Sequence, residues 1–162
     1  MNKKQYIYYL TGFMDGESCF CVALKNQKSA KVKWVLDPIF HVTQHSKNKN
    51  ILYDIQRMFN CGIVIKKYGQ QDTMQFVVQS RKELVEKIIP FFRKYPLITK
   101  NKDFEIFAEV VEALDQHKHA NKIEFIKLLK KVFTMNGGGK QRRYKLKDVL
   151  ESIGSSETTR QT

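Results

Sequence analysis

Two carboxylates, Asp15 and Glu17, and two glycines, Gly12 and Gly16, share the segment Leu10-Thr11-Gly12-Phe13-Met14-Asp15-Gly16-Glu17-Ser18. The helical pattern ends here, and Cys19-Phe20-Cys21-Val22-Ala23-Leu24-Lys25 alternates as a strand does. Glu17 therefore marks a hinge, and a carboxylate at such a hinge is a hard oxygen donor able to hold a hard cation. The glycines stand at i and i+4, on one helical face, where a partner backbone can approach closely. Glycine inside a helix costs about 1 kcal/mol relative to alanine, so the pair calls for a packing reason. The same residues also fit an ordinary helix cap with solvated charges, and spacing alone leaves both readings open.

Other chemistry-bearing groups are weaker candidates. Cys19, Cys21 and Cys61 are odd in number and lie in strand-like or turn-like places. They read as reduced, intracellular and structural, and three thiols without a fourth ligand make a poor zinc site. His117 and His119 have no Cys or carboxylate completing a ligand set nearby, so they read as a loop surface.

The chain carries 29 basic against 16 acidic residues, a net charge of +13, which calls for an anionic partner, nucleic acid first. No apolar run approaches the roughly 18 residues of a membrane span, and Ile7-Tyr8-Tyr9-Leu10 is too short for a signal-peptide core. These features imply an intracellular protein, with an organelle (chloroplast or mitochondrion) and a prokaryotic cytoplasm equally open. A third class, a basic adaptor for acidic proteins, would bind polyanions without sequence preference.

The 162 residues, 42% of them apolar, suffice for one domain with a real core, expected over 1–153 with a disordered tail over 154–162. A helix is expected from about Lys3 to Asp15, then strands over Phe20–Leu24 and Trp34–Thr43, with Pro38 marking an irregularity. A helix over Lys47–Phe59 stops at Asn60-Cys61-Gly62, and a second hairpin joins Ile63–Tyr68 to Met74–Val78. Ser80 caps a helix over Lys82–Phe92; further helices are expected over Asp103–Leu114, Ile123–Phe133 and Tyr144–Ile153. The fold class is α+β, an αββαββα core with a four-stranded antiparallel curved sheet and extra C-terminal helices.

The strand faces opposite the apolar ones mix amides and cations with small apolar groups. On the first hairpin these are Cys21, Ala23, Lys25 and Gln27, then Val35, Asp37, Ile39 and His41; on the second, Lys67, Gln75, Val77 and Gln79. A two-stranded ribbon fits the major groove, where Gln pairs with adenine, Lys reaches guanine and apolar groups touch the thymine methyl. After Gly137-Gly138-Gly139, the cations Lys140, Arg142 and Arg143 form a basic loop suited to phosphates.

The segment from Leu10 to Ser18 resembles the signature of LAGLIDADG homing endonucleases. Leu10, Gly12 and Asp15 match by identity, Thr11, Phe13, Met14 and Gly16 by size or character, and Glu17 takes the place of the last acid. Ser18 departs from the final glycine. The resemblance implies a homodimer built on Thr11, Gly12, Asp15 and Gly16, its sheets forming a saddle over double-stranded DNA. It implies Mg²⁺ or Mn²⁺ held by Glu17 and the Gly16 carbonyl, a double-strand cut with 3′ overhangs in a long near-palindromic target, and promotion of intron mobility. Gln44 and Lys100 occupy the places of the groups that organise the attacking water, with Lys102 competing in register. Asn48 stands where a basic residue is usual, so Lys47 or Lys49 takes over its phosphate contact. The alternative on the same scaffold is an RNA-binding intron maturase or a DNA-binding protein that does not cut.

Overall fold

The first helix is set by its cap: Gln5 N–H donates to Asn2 Oδ1 and Asn2 N–H to Gln5 Oε1, each at 2.9 Å, the reciprocal arrangement of a capping box. The computed structural model describes residues 1–27, 29–30, 32–138 and 142–155. Helix α1 (Lys3–Glu17) leads directly into strands β1 (Ser18–Asn26) and β2 (Trp34–His45). A short 3₁₀ turn precedes α2 (Asn50–Phe59), and β3 (Ile63–Lys66) and β4 (Thr73–Val78) follow. Helix α2 ends at Asn60 in the left-handed conformation, φ 48°.

The four strands form one antiparallel sheet in the order β1-β2-β4-β3. Strand β2 pairs with β4 only from Phe40 to His45. Pro38 therefore lies on the part of β2 paired to β1 alone, where a missing N–H can face the open edge.

Next come α3 (Arg81–Glu83), a π-helical turn at Leu84–Ile88, and α4 (Ile89–Lys94). Ser80 caps this stretch, its Oγ accepting from Glu83 N–H at 3.4 Å. Pro90 stands in the first turn of α4. A proline there has no N–H to donate and would crowd the carbonyl four residues back, which the wider π turn relieves. Helices α5 (Asn101–Asp115), α6 (Lys122–Val132) and α7 (Leu146–Ser155) complete the chain. Residues 154 and 155 thus continue a helix rather than begin a tail, because Val149 and Ile153 are buried and anchor α7; residues 156–162 lie outside the described ones.

Alternation decides which sheet face is dry. Phe20, Val22, Leu36, Phe40, Val42, Phe76 and Val78 point to the helices and are buried. Phe20 is the centre of an aromatic cluster, with ring centroids 5.0 Å from Phe40, 5.4 Å from Phe104 and 5.3 Å from Phe107. Burying each such ring stabilises the fold by roughly 2–3 kcal/mol. One apolar cluster runs from Leu10 to Ile153, and Trp34 ties the C-terminal helix to it through Nε1–H donating to Ser152 Oγ at 2.8 Å.

Candidate metal centre and nucleic-acid interface

The end of α1 is clamped by the loop before α5. The Asp15 carboxylate accepts the backbone N–H groups of Ile98, Thr99 and Lys100 at 3.0–3.1 Å and the Thr99 hydroxyl at 2.8 Å. Burial alone would raise the Asp15 carboxyl, but the hydrogen bonds from Thr99, Lys100 and Ile98 outweigh it and hold the group below the usual carboxylate range. Asp15 thus fastens the end of α1 to that loop within the chain. Thr11 is buried, and its hydroxyl donates to the Ile7 carbonyl one turn back at 2.8 Å.

This clamp delivers Lys100 to the helix end. Its Nζ donates to the Asp15 carbonyl at 2.7 Å and also to the Gly16 carbonyl. Lys102, its competitor in register, is exposed. Glu17 directly follows Gly16 in sequence and is exposed, and no hydrogen bond or ion pair engages its carboxylate among the described residues. Carbonyls at a helix C-terminus carry partial negative charge and attract a cation, as the Lys100 ammonium lodged there illustrates, and an exposed carboxylate one residue on is a further oxygen donor. Gln44 is the penultimate residue of β2, its Oε1 accepting from His45 N–H at 2.7 Å. It shares a cleft with Tyr9, Phe13, Lys47 and Asn48, and Phe13 lies one helical turn before Glu17. Lys47, not only the shorter Asn48, thus borders the cleft.

The glycine face is open. A Cβ built on Gly12 or Gly16 would meet nothing within 4 Å. Tyr8 and Tyr9, one turn earlier, are 54% and 53% exposed, a pair of aromatics that sequence periodicity assigned to no role.

The sheet face away from the core is continuous across all four strands, because each pairing register joins residues of like parity. Cys19, Cys21, Ala23 and Lys25 stand opposite His41, Ile39, Asp37 and Val35; Thr43 pairs with Gln75, and Gln75 with Ile65. Lys67 follows β3 and is half-buried. Gln27 and Gln79 lie just past the ends of their strands. Gln27 closes its turn, Nε2 donating to Ser29 Oγ at 3.0 Å. The place of Val77 is corrected: it is only 7% exposed, shaded by its cross-strand neighbours His41 and Ile63. Ile63, 56% exposed, and Ile65 present the apolar surface in its stead, and the alternation Ile63-Val64-Ile65 was the overlooked signal. Lys25 and Asp37 face one another, Nζ to Oδ2 at 2.5 Å. Burial, and then the Lys67 ammonium, lower the His41 pKa and favour its neutral form.

The basic C-terminal loop divides in two. Arg142 is half-buried, with its guanidinium 4.8 Å over the Phe133 ring and Nη2 donating to the Val132 carbonyl at 2.5 Å. It is a packing group and not the free phosphate contact expected. Arg143 is exposed beside Tyr144, and Lys140 lies outside the described residues. Of the two histidines assigned to a loop, His117 is exposed at positive φ, while His119 is partly tucked beside Trp34 and Phe125.

The segment that carries this helix end and the four-stranded fold around it have counterparts among known proteins. Residues 10–111 match the LAGLIDADG endonuclease family. This chain belongs to that family. Among its LAGLIDADG relatives it is 33% identical over 111 residues to homing endonuclease I-ApeII of Aeropyrum pernix, covering 68% of this chain and 65% of that protein. It is 34% identical over 87 residues to DNA endonuclease I-CeuI of Chlamydomonas moewusii, covering 54% and 40%. The matched stretch thus spans less than two thirds of the length of these relatives. Its fold superposes on the archaeal intron-encoded homing endonuclease I-Vdi141I complexed with DNA with a TM-score of 0.89 at 30% identity, covering 97% of this chain and 99% of that one. For the homing endonuclease I-TnaI the TM-score is 0.81 at 32% identity, covering 91% and 97%. Among the described residues no helix is long and apolar enough to cross a membrane.

Proposed function

We propose that this LAGLIDADG chain is a site-specific homing endonuclease that works as a homodimer and cuts both strands of a long, near-palindromic DNA target with Mg²⁺ or Mn²⁺, leaving 3′ overhangs. The observation that carries the reading is the end of α1, where the Lys100 ammonium sits on the Asp15 and Gly16 carbonyls and the next residue, Glu17, is exposed. Those oxygens suit a hard divalent cation, and Glu17 with the Gly16 carbonyl would hold it. When bound, the ion supplies an activated water and stabilises charge on the phosphoryl oxygens. Lys100 keeps positive charge at the helix end, and Gln44 offers an amide to orient water. The open Gly12 and Gly16 face supports pairing with a second copy, which would bring two Glu17 residues to a two-fold axis. The sheet faces would then extend over two half-sites, Gln75, Lys25 and Ile65 towards base edges.

The test is to incubate the purified protein with a randomised duplex library and Mg²⁺ and to sequence the cut ends. A single recovered site with paired cuts is expected. Glu17→Gln should abolish cutting and leave DNA affinity largely intact, because it removes a cation ligand and no base contact. Full cutting by that variant would overturn the site assignment, and binding without cutting by the wild type would favour the non-cutting alternative. Ca²⁺, with its looser shell, should support binding with little turnover.

A further inference from the structure

Cys19 and Cys21 are two residues apart on β1, so both side chains leave the same face of the sheet, and their sulfurs lie 2.7 Å apart. His41 is the cross-strand partner of Cys19. One ligand atom from each of the three residues lies within 4.8 Å of the other two, and all three side chains are half-buried. Two paired strands hold the group, so its geometry rests on sheet register and not on a loop. Sequence spacing could not reveal it, since the third ligand comes from the neighbouring strand and not from Cys61.

We propose that Cys19, Cys21 and His41 bind one thiophilic cation, Zn²⁺ foremost, at a site separate from the oxygen donors around Glu17. Two thiolates and an imidazole form a three-ligand set that tetrahedral zinc accepts, with the fourth position left to water. Mg²⁺, which demands oxygen ligands, has no claim on it. Zinc-to-sulfur bonds of about 2.3 Å place two tetrahedral sulfurs about 3.8 Å apart, so the thiols must separate by roughly 1 Å, within reach of small χ1 changes. Both thiol protons leave to solvent on binding.

The surroundings are mixed in charge. Lys100, Lys67 and Asp103 act on Cys19, Arg142 and Asp103 on Cys21, and Lys67 on His41. A dication with two thiolates and a neutral imidazole is a neutral unit, so these cations do not oppose it as they would a bare ion. The Asn136 side-chain oxygen stands 3.9 Å from the Cys19 sulfur and closes one side.

The experiment is a Co²⁺ titration of reduced, metal-free protein in excess Mg²⁺. One equivalent per chain should produce a sulfur-to-cobalt charge-transfer band, bleached by Zn²⁺ and unmoved by Mg²⁺. Cys21→Ser and His41→Ala should each weaken cobalt binding by at least roughly tenfold, and Cys61→Ser should not. The wild-type chain supplies a measurement free of folding effects: Zn²⁺ should shield Cys19 and Cys21 from alkylation, read by peptide mass, with no change at Cys61. Absence of the band, undiminished cobalt affinity in Cys21→Ser, displacement by Mg²⁺, or unshielded Cys19 and Cys21 would each overturn the proposal.

Discussion

Asp15 fastens α1 to the loop before α5, and its carboxylate is worth more as an anchor than as a surface charge. Hydrogen bonds to an ionised acceptor contribute about 1.5–3 kcal/mol, so Asp15→Ala should lower unfolding stability in urea at pH 7 by about 2 kcal/mol. The folded pKa lies below the unfolded value, so this contribution is complete above the unfolded pKa, near pH 4 by ordinary carboxylates, and is lost as pH falls through the folded value. The gap between wild type and variant should therefore close on acidification below about pH 4. A gap that stays constant down to pH 2 would show that the ionised carboxylate is not the anchor. Asp15 belongs to the motif read first from the sequence, yet its partners are more than eighty residues away, and no local pattern announces Ile98, Thr99 and Lys100 as its donors.

Among the elements, glycines in α1 and before β3 serve opposite purposes. Gly62 has φ +70°, and a Cβ there would meet the Phe76 ring at 2.6 Å, the Val77 carbonyl at 2.7 Å and Val78 Cγ2 at 2.8 Å. Gly62→Ala should cost about 2–4 kcal/mol in chemical denaturation, through backbone strain and overpacking together. Gly12 has open space instead, so Gly12→Ala should stabilise the isolated fold by up to about 1 kcal/mol, whereas Gly12→Leu should wedge two copies apart. Sedimentation should then show a wild-type dimer and a Gly12→Leu monomer that still unfolds cooperatively. A wild-type chain that stays monomeric on DNA would sink the dimer. Element order was legible because apolar spacing switches cleanly from helical to alternating at Ser18 and again at Ile63. The π turn before Pro90, the shading of Val77 and the meeting of Cys19 with His41 were not, because each depends on a neighbour that only the assembled fold supplies.

At the scale of the whole molecule, a charge of +13 makes strong salt dependence of DNA binding the expectation. The two arginines after the glycine run differ in their surroundings, and their expected effects differ with them. Arg143→Ala should weaken binding to all sequences alike and lower the slope of log affinity against log salt by about 0.9 per subunit. Arg142→Ala should instead lower stability, since it lifts a packed guanidinium from Phe133 and frees the Val132 carbonyl. Equal effects of the two on the salt slope would contradict this division.

Lys25 carries Asp37 as a tethered counterion. If a duplex took the ammonium, the carboxylate set aside would remain beside it as part of the protein, so the pair, neutral as a unit, would displace fewer of the cations condensed on DNA than a free lysine and would add less to the salt response. The stranded carboxylate then repels phosphate and welcomes only a donor. A guanine accepting from Lys25 while its paired cytosine donates to Asp37 satisfies both, so the ion pair would open across one G·C pair and close again on any other.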